Sequence, residues 1–297
     1  MQVKELIQAI NSEDFVSLNS LLSNFHRLPF SHATGGGFGD YNAYRKHPLL
    51  YRYLFSYQWH KYRKTYLDSS YDLNEIDWPS VGNPVGMQVN GHVWSADVFR
   101  YYYYANQFLE LFGEKEHPVI CEIGCGFGAV TYATLKKRKA IPESLIVSSY
   151  FLMTNFPNKK TLLFGEEDIG SINLEGFDMI FIPTYAIETL DDKTVDLFFN
   201  SNSFSEMKAS SAKKYLDEIE RICKKYFLHV NHTAEFTWKD ENENEITNIK
   251  STDLVPDKEF FRKKYQKKRI FSSVRDEIFY LQYKAEHFAF FYERIGT

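Results

Sequence analysis

The sequence predicts an α/β fold: a largely parallel sheet wrapped by helices, closed by a C-terminal antiparallel hairpin and preceded by a helical N-terminal region. Three observations predict it. Between Pro118 and Val130 an apolar run, Val119 to Cys121, meets Glu122 and then Gly124, Gly126 and Gly128 at alternate positions, ahead of a helix-compatible segment from Ala129 to Arg138. Beyond that point strand-like apolar runs alternate with amphipathic segments, the pattern of parallel crossovers. Last come two aromatic runs, Glu277 to Tyr283 and His287 to Glu293, joined by Lys284 to Glu286. Such a pair reads as a hairpin.

The 297 residues are long for one core, so a helical region over 1–75 is expected before an α/β domain over 76–297 that carries a polar insertion near 234–259. A hydrophobic content of 44% is ample for a core, and the 21 Tyr and 26 Phe exceed ordinary usage. The formal net charge of −4 gives no reason to expect nucleic acid as a partner. Three cysteines, Cys121, Cys125 and Cys223, form no C-x-x-C pair and leave an odd count, as in a reduced cytoplasmic protein. No signal-like N-terminus and no run of membrane-spanning length is present, which predicts a soluble chain.

Taken in order, residues 1–28 read as two short helices, with Ser12 as N-cap and Phe15, Leu18, Leu21, Leu22 and Phe25 on one face. Gly35 to Gly39 lacks the Lys-Ser/Thr of a phosphate loop and reads as a loop. Pro48 opens a helix on which Tyr51, Phe55, Trp59, Tyr62 and Tyr66 recur at three- and four-residue spacing, a packing face. Trp78 to His92 is turn-rich. A helix follows from about Ser95 to Phe112, and its four consecutive tyrosines, Tyr101 to Tyr104, cover all faces, so at least one should be exposed or face a cleft.

After the glycines, only 13 residues precede Pro142, too few for both a helix and a second strand ending in a ribose-binding acid; Glu143 is the nearest carboxylate. Pro142 to Phe156 reads as a helix. Strands are expected over Thr161–Phe164, Phe177–Ile182, Val195–Phe199 and Tyr226–Val230, with an amphipathic helix marked by Ala212, Tyr215, Leu216, Ile219, Ile222 and Cys223. Residues 234–259 read as an exposed acidic insertion, and the basic run Phe260 to Arg269 as a solvated helix face or a site for an anionic sugar carrier.

A strand, tight glycine turn and helix carry an adenosine-containing cofactor across the end of a parallel sheet. The glycines serve φ > 0 and close approach of a ligand to the backbone. Gly124, Gly126 and Ala129 satisfy the looser dinucleotide fingerprint, and a ligand-free turn is a third reading. The third glycine at Gly128 and the acid at Glu122 instead resemble motif I of the S-adenosylmethionine-dependent methyltransferases with a Rossmann-like fold. That resemblance puts the Glu122 carboxylate near the cationic end of the cofactor. Methyltransferases of this class close their sheet with an antiparallel pair, which NAD-binding domains do not.

Further blocks extend the likeness: G-N-P-V-G with G-H and F-R-Y-Y-Y-Y-A (82–105), E-I-G-C-G-F-G (122–128), P-E-S-L-I-V-S-S-Y-F-L (142–152), D-L-F-F-N-S-N-S-F-S-E-M (196–207) and Y-F-L-H-V-N (226–231). Over roughly 75–235 the chain resembles the bacterial sugar O-methyltransferases, departing from them in the short stretch before Pro142. The resemblance implies methyl transfer from S-adenosylmethionine to a sugar hydroxyl, in synthesis of a surface glycan such as O-antigen or capsule. Cofactor contacts then fall to Glu122, Gly124, Cys125, Gly126 and Gly128, with Asp168 at the adenosine and Asn200 and Ser201 near the methionine moiety.

Catalytic groups in such folds project from strand ends, which nominates Glu206, His232 and, from the N-G-H turn, His92 as bases; His229 sits inside a strand and reads as structural. No residues show metal-ligand spacing, so a metal-free reaction is expected. The rival readings are a non-catalytic member of the fold that binds a partner in glycan assembly and a nicotinamide-dependent sugar oxidoreductase.

Overall fold

The computed structural model describes residues 2–27, 46–67, 72–89, 91–113, 117–137, 146–239, 243–269 and 286–296. Gly35 to Gly39, Pro142, Glu143 and the run Glu277 to Tyr283 lie outside the described residues. The chain forms two compact units: the first from Met1–Glu114, Cys125–Arg138 and Ser144–Lys159, the second from the remainder, including Lys115–Gly124 and Lys160–Thr297.

In the first unit, α1 (Gln2–Asn11) and α2 (Phe15–Leu22) are the two expected helices. Asp14, not Ser12, caps α2, accepting from Ser17 N at 3.0 Å. Ser12 is still committed to the preceding turn, its N–H and hydroxyl both donating to Gln8 O. Helix α3 (Pro48–Tyr66) begins at its proline and buries Tyr51, Phe55, Trp59, Tyr62 and Tyr66, as their spacing predicts.

A hairpin of β1 (Met87–Val89) and β2 (His92–Trp94) leads to α4 (Val98–Phe112), which starts three residues later than expected. Its N-cap residue, Asp97, makes no side-chain cap bond and pairs with the Arg100 guanidinium at 3.1 Å. Burial works against the Arg100 charge, but Asp97 and neighbouring tyrosines outweigh it and raise the pKa. None of the four tyrosines is exposed: Tyr101, Tyr102 and Tyr104 are buried and Tyr103 half-buried. Of the expected alternatives, an exposed member or one facing a cleft, no member is fully exposed, because neighbours meet several sides of the helix, and Tyr103 is the most open. Trp78 stacks on Tyr101 at 5.6 Å, Tyr66 meets Tyr103, and the Tyr102 hydroxyl donates to Asp77 O.

Helices α5 (Ala129–Lys137) and α6 (Ile146–Asn155) complete the unit. Phe151 of α6 is its aromatic hub, with ring centroids 5.0 Å from Phe127, 5.6 Å from Tyr132, 6.2 Å from Phe25 and 6.3 Å from Trp78.

The second unit is built on a five-stranded sheet in the order β10–β11–β7–β6–β3. Strands β3 (Ile120–Ile123), β6 (Val195–Ser201) and β7 (Cys223–His232) are parallel; β11 (His287–Arg294) runs antiparallel to β7 and to β10 (Phe261–Arg269). This is a Rossmann-like α/β sheet closed by an antiparallel C-terminal pair, but the partner of β11 in that pair is β10 rather than the expected run Glu277 to Tyr283, because β7 and β10 take both edges of β11. Strands β4 (Thr161–Leu163) and β5 (Met179–Phe181) pair in parallel with each other. Helix α7 (Ala209–Ile222) buries Ala212, Leu216, Ile219 and Ile222 in the same apolar cluster as Val119, Phe198, Phe227 and Phe290.

Two expectations are corrected here. Phe260 to Arg269 is not a helix face: Phe261–Arg269 is an edge strand, whose hydrogen bonds to β11 hold it extended without an apolar face. Residues 234–259 are only partly a solvated insertion. The hairpin of β8 (Thr237–Lys239) and β9 (Glu245–Thr247) is largely exposed, but Asn248, Ser251 and Leu254 are buried because their polar and apolar groups complete the sheet's core.

Replacing Phe151 by Ala removes the ring on which four aromatic neighbours converge. It should destabilise the protein by about 3–5 kcal/mol, read as a fall in the urea unfolding midpoint with the slope unchanged.

Candidate functional site

The glycine motif crosses from the second unit into the first after Gly124. Strand β3 brings Glu122 to the penultimate position of its carboxyl end, where the residue is buried. Gly124, Gly126 and Gly128 then take φ of +71°, +60° and +89°, a region costly for residues with a Cβ. Two of them have packing reasons as well. A Cβ on Gly124 would fall 2.2 Å from Ser203 Oγ, and one on Gly128 would fall 2.8 Å from Leu152 Cδ1. Cys125, buried and in no disulfide, accepts from Gly128 N at 2.9 Å through its carbonyl, which closes the turn ahead of α5.

In the second unit the parallel register aligns Ile123, Asn200 and His229 in one row. Asn200 is 0% exposed. Its Nδ2 donates to Ile123 O at 2.8 Å and to the Ser203 hydroxyl. Its Oδ1 accepts from Asn231 Nδ2 at 2.9 Å and from Phe204 N at 3.4 Å. All four hydrogen-bonding positions of the amide are therefore taken within the protein.

Asn231 continues the string. Its Oδ1 accepts from Ser205 N, and its Nδ2 lies 3.4 Å from His229 Nδ1. His229 Nε2 faces Leu254 O at 3.1 Å; a carbonyl only accepts, so the proton is on Nε2 and Nδ1 is the acceptor. Burial lowers the His229 pKa to about 3, against the opposing pull of the Leu254 carbonyl. The ring is neutral and structural.

This string clamps the loop after β6. Asn202 N donates to Val230 O at 2.8 Å, and Asn248 Nδ2 holds Ser205 O at 2.8 Å. Glu206 projects from the clamped loop with its side chain exposed, at the end of the one-turn helix Phe204–Glu206. Ser201, half-buried, is the last residue of β6.

His232 is the last residue of β7 rather than one beyond it, because pairing with His287 extends the strand. Its ring is largely buried between Phe236 and His287, at 5.3 and 5.7 Å, and Nδ1 has no hydrogen-bond partner. Burial lowers its pKa, while a bond to the Ala234 backbone opposes the shift.

Asp168, exposed, spends Oδ1 on Gly170 N at 3.2 Å and so caps the short turn Ile169–Ser171. His92, exposed, opens β2 in the first unit. Glu206, His232, Asn200 and Ser201 thus share the carboxyl ends of β6 and β7, whereas Asp168 stands apart after β4.

Residues missed by sequence reasoning are Asn231, Ser203 and Ser205, which join the string, and the pair Phe164 and Tyr185. Those two rings are exposed and meet edge to face at 5.7 Å just after β4 and β5. The available signal was the polar run N-S-N-S placed directly after the apolar L-F-F.

Among the described residues no group of three or more His, Cys, Asp or Glu side chains is placed to hold a metal ion, and no helix is long and apolar enough to cross a membrane. No family model matches the chain, and no curated protein matches it in sequence.

Solved structures similar to it include three methyltransferases. One is the 1,6-didemethyltoxoflavin-N1-methyltransferase of Burkholderia thailandensis with S-adenosylhomocysteine bound: 10% identity, 65% of this chain and 78% of that one, TM-score 0.42. Another is the magnesium protoporphyrin IX methyltransferase of Synechocystis PCC 6803 with bound SAM: 10% identity, 71% and 86%, TM-score 0.39. The third is a glycopeptide N-methyltransferase: 12% identity, 65% and 89%, TM-score 0.39. Likenesses of this size add nothing to what the strand order and directions establish.

The His229 string generates a pH prediction. The folded pKa near 3 lies below the unfolded value near 6.5, so from pH 6.5 downward the unfolded chain binds the extra proton. Stability is unaffected by His229 above that range and falls by up to about 1.4 kcal/mol per pH unit below it. Urea midpoints at neutral pH and near pH 5 should differ less in His229→Gln than in the wild type. His232 acts in the same sense, so the dependence shrinks without vanishing.

Proposed function

We propose that the chain transfers a methyl group from S-adenosylmethionine to a sugar hydroxyl, in the synthesis of a bacterial surface glycan such as O-antigen or capsule. The observation that carries the reading is the buried Glu122 at the end of β3, followed by three left-handed glycines. A carboxylate there suits a ligand that is cationic at its amino and sulfonium groups, and backbone without Cβ atoms suits its close approach. The residues present therefore fit the cofactor. The choice of a sugar as acceptor rests on the block resemblance over roughly 75–235, and the exposed rings of Phe164 and Tyr185 offer a surface of the kind on which sugars pack.

When bound, the cofactor supplies a methyl carbon already activated by its sulfonium. In this reading Glu122 and the backbone of Gly124, Cys125, Gly126 and Gly128 hold it, and Asp168 and Ser201 contribute at its periphery. Asn200 acts from behind. With its amide spent on Ile123, Ser203 and Asn231, it fixes the backbone that meets the ligand.

Alignment of donor and acceptor is worth about 7–11 kcal/mol in such displacements. The proton of the sugar hydroxyl goes to a base. Glu206 is exposed on a clamped loop, and His232 has a buried, unpartnered Nδ1 and a pKa lowered by burial. His92 is the third candidate.

Two measurements test this. S-Adenosylmethionine and S-adenosylhomocysteine should bind the wild type in calorimetric titration and fail to bind Gly126→Arg. Absence of binding by folded wild-type protein overturns the enzyme reading in favour of a partner-binding protein. With a responding acceptor sugar, removal of the true base among Glu206→Gln, His232→Gln and His92→Gln should lower kcat by about 10²–10⁴-fold while leaving cofactor affinity unchanged.

A further inference from the structure

Strand β10 is the outer strand of the five-stranded sheet, and its sequence F-R-K-K-Y-Q-K-K-R carries six cations in nine residues. At about 3.3 Å per residue it makes a ridge of about 30 Å. Arg262, Lys263, Lys264, Lys267 and Lys268 are exposed. Two carboxylates oppose the six charges: Glu293 meets Arg262 at 2.7 Å and Lys264 at 2.9 Å, and Glu286 meets Lys268. Lys263 and Lys267 make no ion pair among the described residues and rest over the rings of Phe290 and Tyr265.

Charge on an edge strand guards against edge-to-edge pairing. A bulge between Lys263 and Tyr265 already serves that end, and one or two lysines suffice for it. The excess has a different consequence. The whole chain has 35 cations against 39 anions. With the six cations of the ridge and its two carboxylates set aside, 29 cations and 37 anions remain, so the rest of the chain is net acidic while the ridge is net basic. An extended anionic surface would attract that edge.

One end of the ridge is apolar. Phe260 and Ile295 are 41% and 51% exposed and are joined by an Ile295 N to Phe260 O bond of 2.8 Å. Lys263 and Lys267 leave opposite faces of the edge strand, so a surface met edge-on is reached by both; with an exposed aromatic and an aliphatic side chain nearby, this matches a lipid surface, which offers anionic headgroups over an apolar layer.

We infer that the β10 edge docks this protein peripherally on an anionic lipid bilayer, with Lys263 and Lys267 at the headgroups and Phe260 and Ile295 at the apolar boundary. Docking of this kind lies beyond methyl transfer and does not depend on it. It brings the protein to substrates carried in the membrane.

The test is co-sedimentation of the full chain with vesicles. Protein should bind vesicles rich in phosphatidylglycerol at low ionic strength, should not bind phosphatidylcholine vesicles, and should be released as salt rises. Each lysine is worth roughly a fivefold change in partition. Lys263→Glu with Lys267→Glu should therefore weaken binding by about 25-fold or more. Lys213→Glu with Lys214→Glu, on the exposed side of α7, should leave it unchanged. Both variants keep an edge guarded by charge, and unaltered thermal melts confirm their folding.

Three results overturn the inference: no binding to the anionic vesicles, equal loss in both double variants, or full release by millimolar inorganic diphosphate at constant ionic strength, which would make the ridge a site for a soluble phosphate ligand.

Discussion

One backbone carbonyl, Ile123 O, sets the terms for the region around the candidate site. It ends β3 immediately before the chain turns left-handed at Gly124. Asn200 Nδ2 and the Ser203 hydroxyl supply its donors. A buried amide that serves as donor brings an acceptor which must also be satisfied. Asn231 meets it, and Asn231 in turn needs Ser205 N and His229 Nδ1. His229 ends the series at Leu254 O, while Asn248 ties off Ser205 O. The string thereby joins β3, β6, β7 and the segment after β9 into one rigid base. In a low-dielectric interior such a network is strong when complete and costly when broken.

What the sequence discloses follows from what it encodes locally. The aromatic stripe of α3 is legible because five side chains at helical spacing bury one face, and the glycine turn because its residue types answer to φ > 0. The parallel strands are legible as apolar runs. For Asn200 the position is legible and the role is not. Its place at a strand end is written in the sequence, but the partners that consume its amide arrive from Asn231 and Ile123, distant in the chain. Strand β10 escapes recognition because periodicity reports burial, and an edge strand needs hydrogen bonds more than a buried face. Tyr101 to Tyr104 mislead in the opposite sense. Helical geometry puts four consecutive residues on all sides, and only tertiary packing decides how many of those sides are covered.

Charge shows the same separation between composition and place. The net value of −4 averages over a chain whose strand β10 carries six cations in nine residues. Inside, charges are fixed by short-range pairing: Asp97 holds Arg100, and Asp196 Oδ2 takes Val119 N at 3.0 Å at the entry to β3. Cys223 and His229 show burial acting on groups of opposite sense, the thiol pushed up to about 12 and the imidazole down to about 3, so both stay neutral. On β10, by contrast, like charges lie side by side in solvent, where screening makes them cheap to keep and available to a long-range field.

The candidate polar groups accordingly fall into two kinds. Asn200, Asn231, His229 and Asp168 have hydrogen-bonding capacity committed to the protein partners that fix them. Glu206 stands exposed on a loop that those bonds hold, and His232 keeps a bare Nδ1 beside them. A group that must take up a proton during a reaction has to be reachable by the substrate, and it also needs a fixed position. Glu206 meets the first requirement through exposure, whereas the unpartnered Nδ1 of His232 is buried and does not. The second is conferred on both by the buried residues whose own capacity is used up. The positions of the acid and the imidazole at this sheet end therefore depend on the spent amides, because those bonds hold the loop and strand end from which they project.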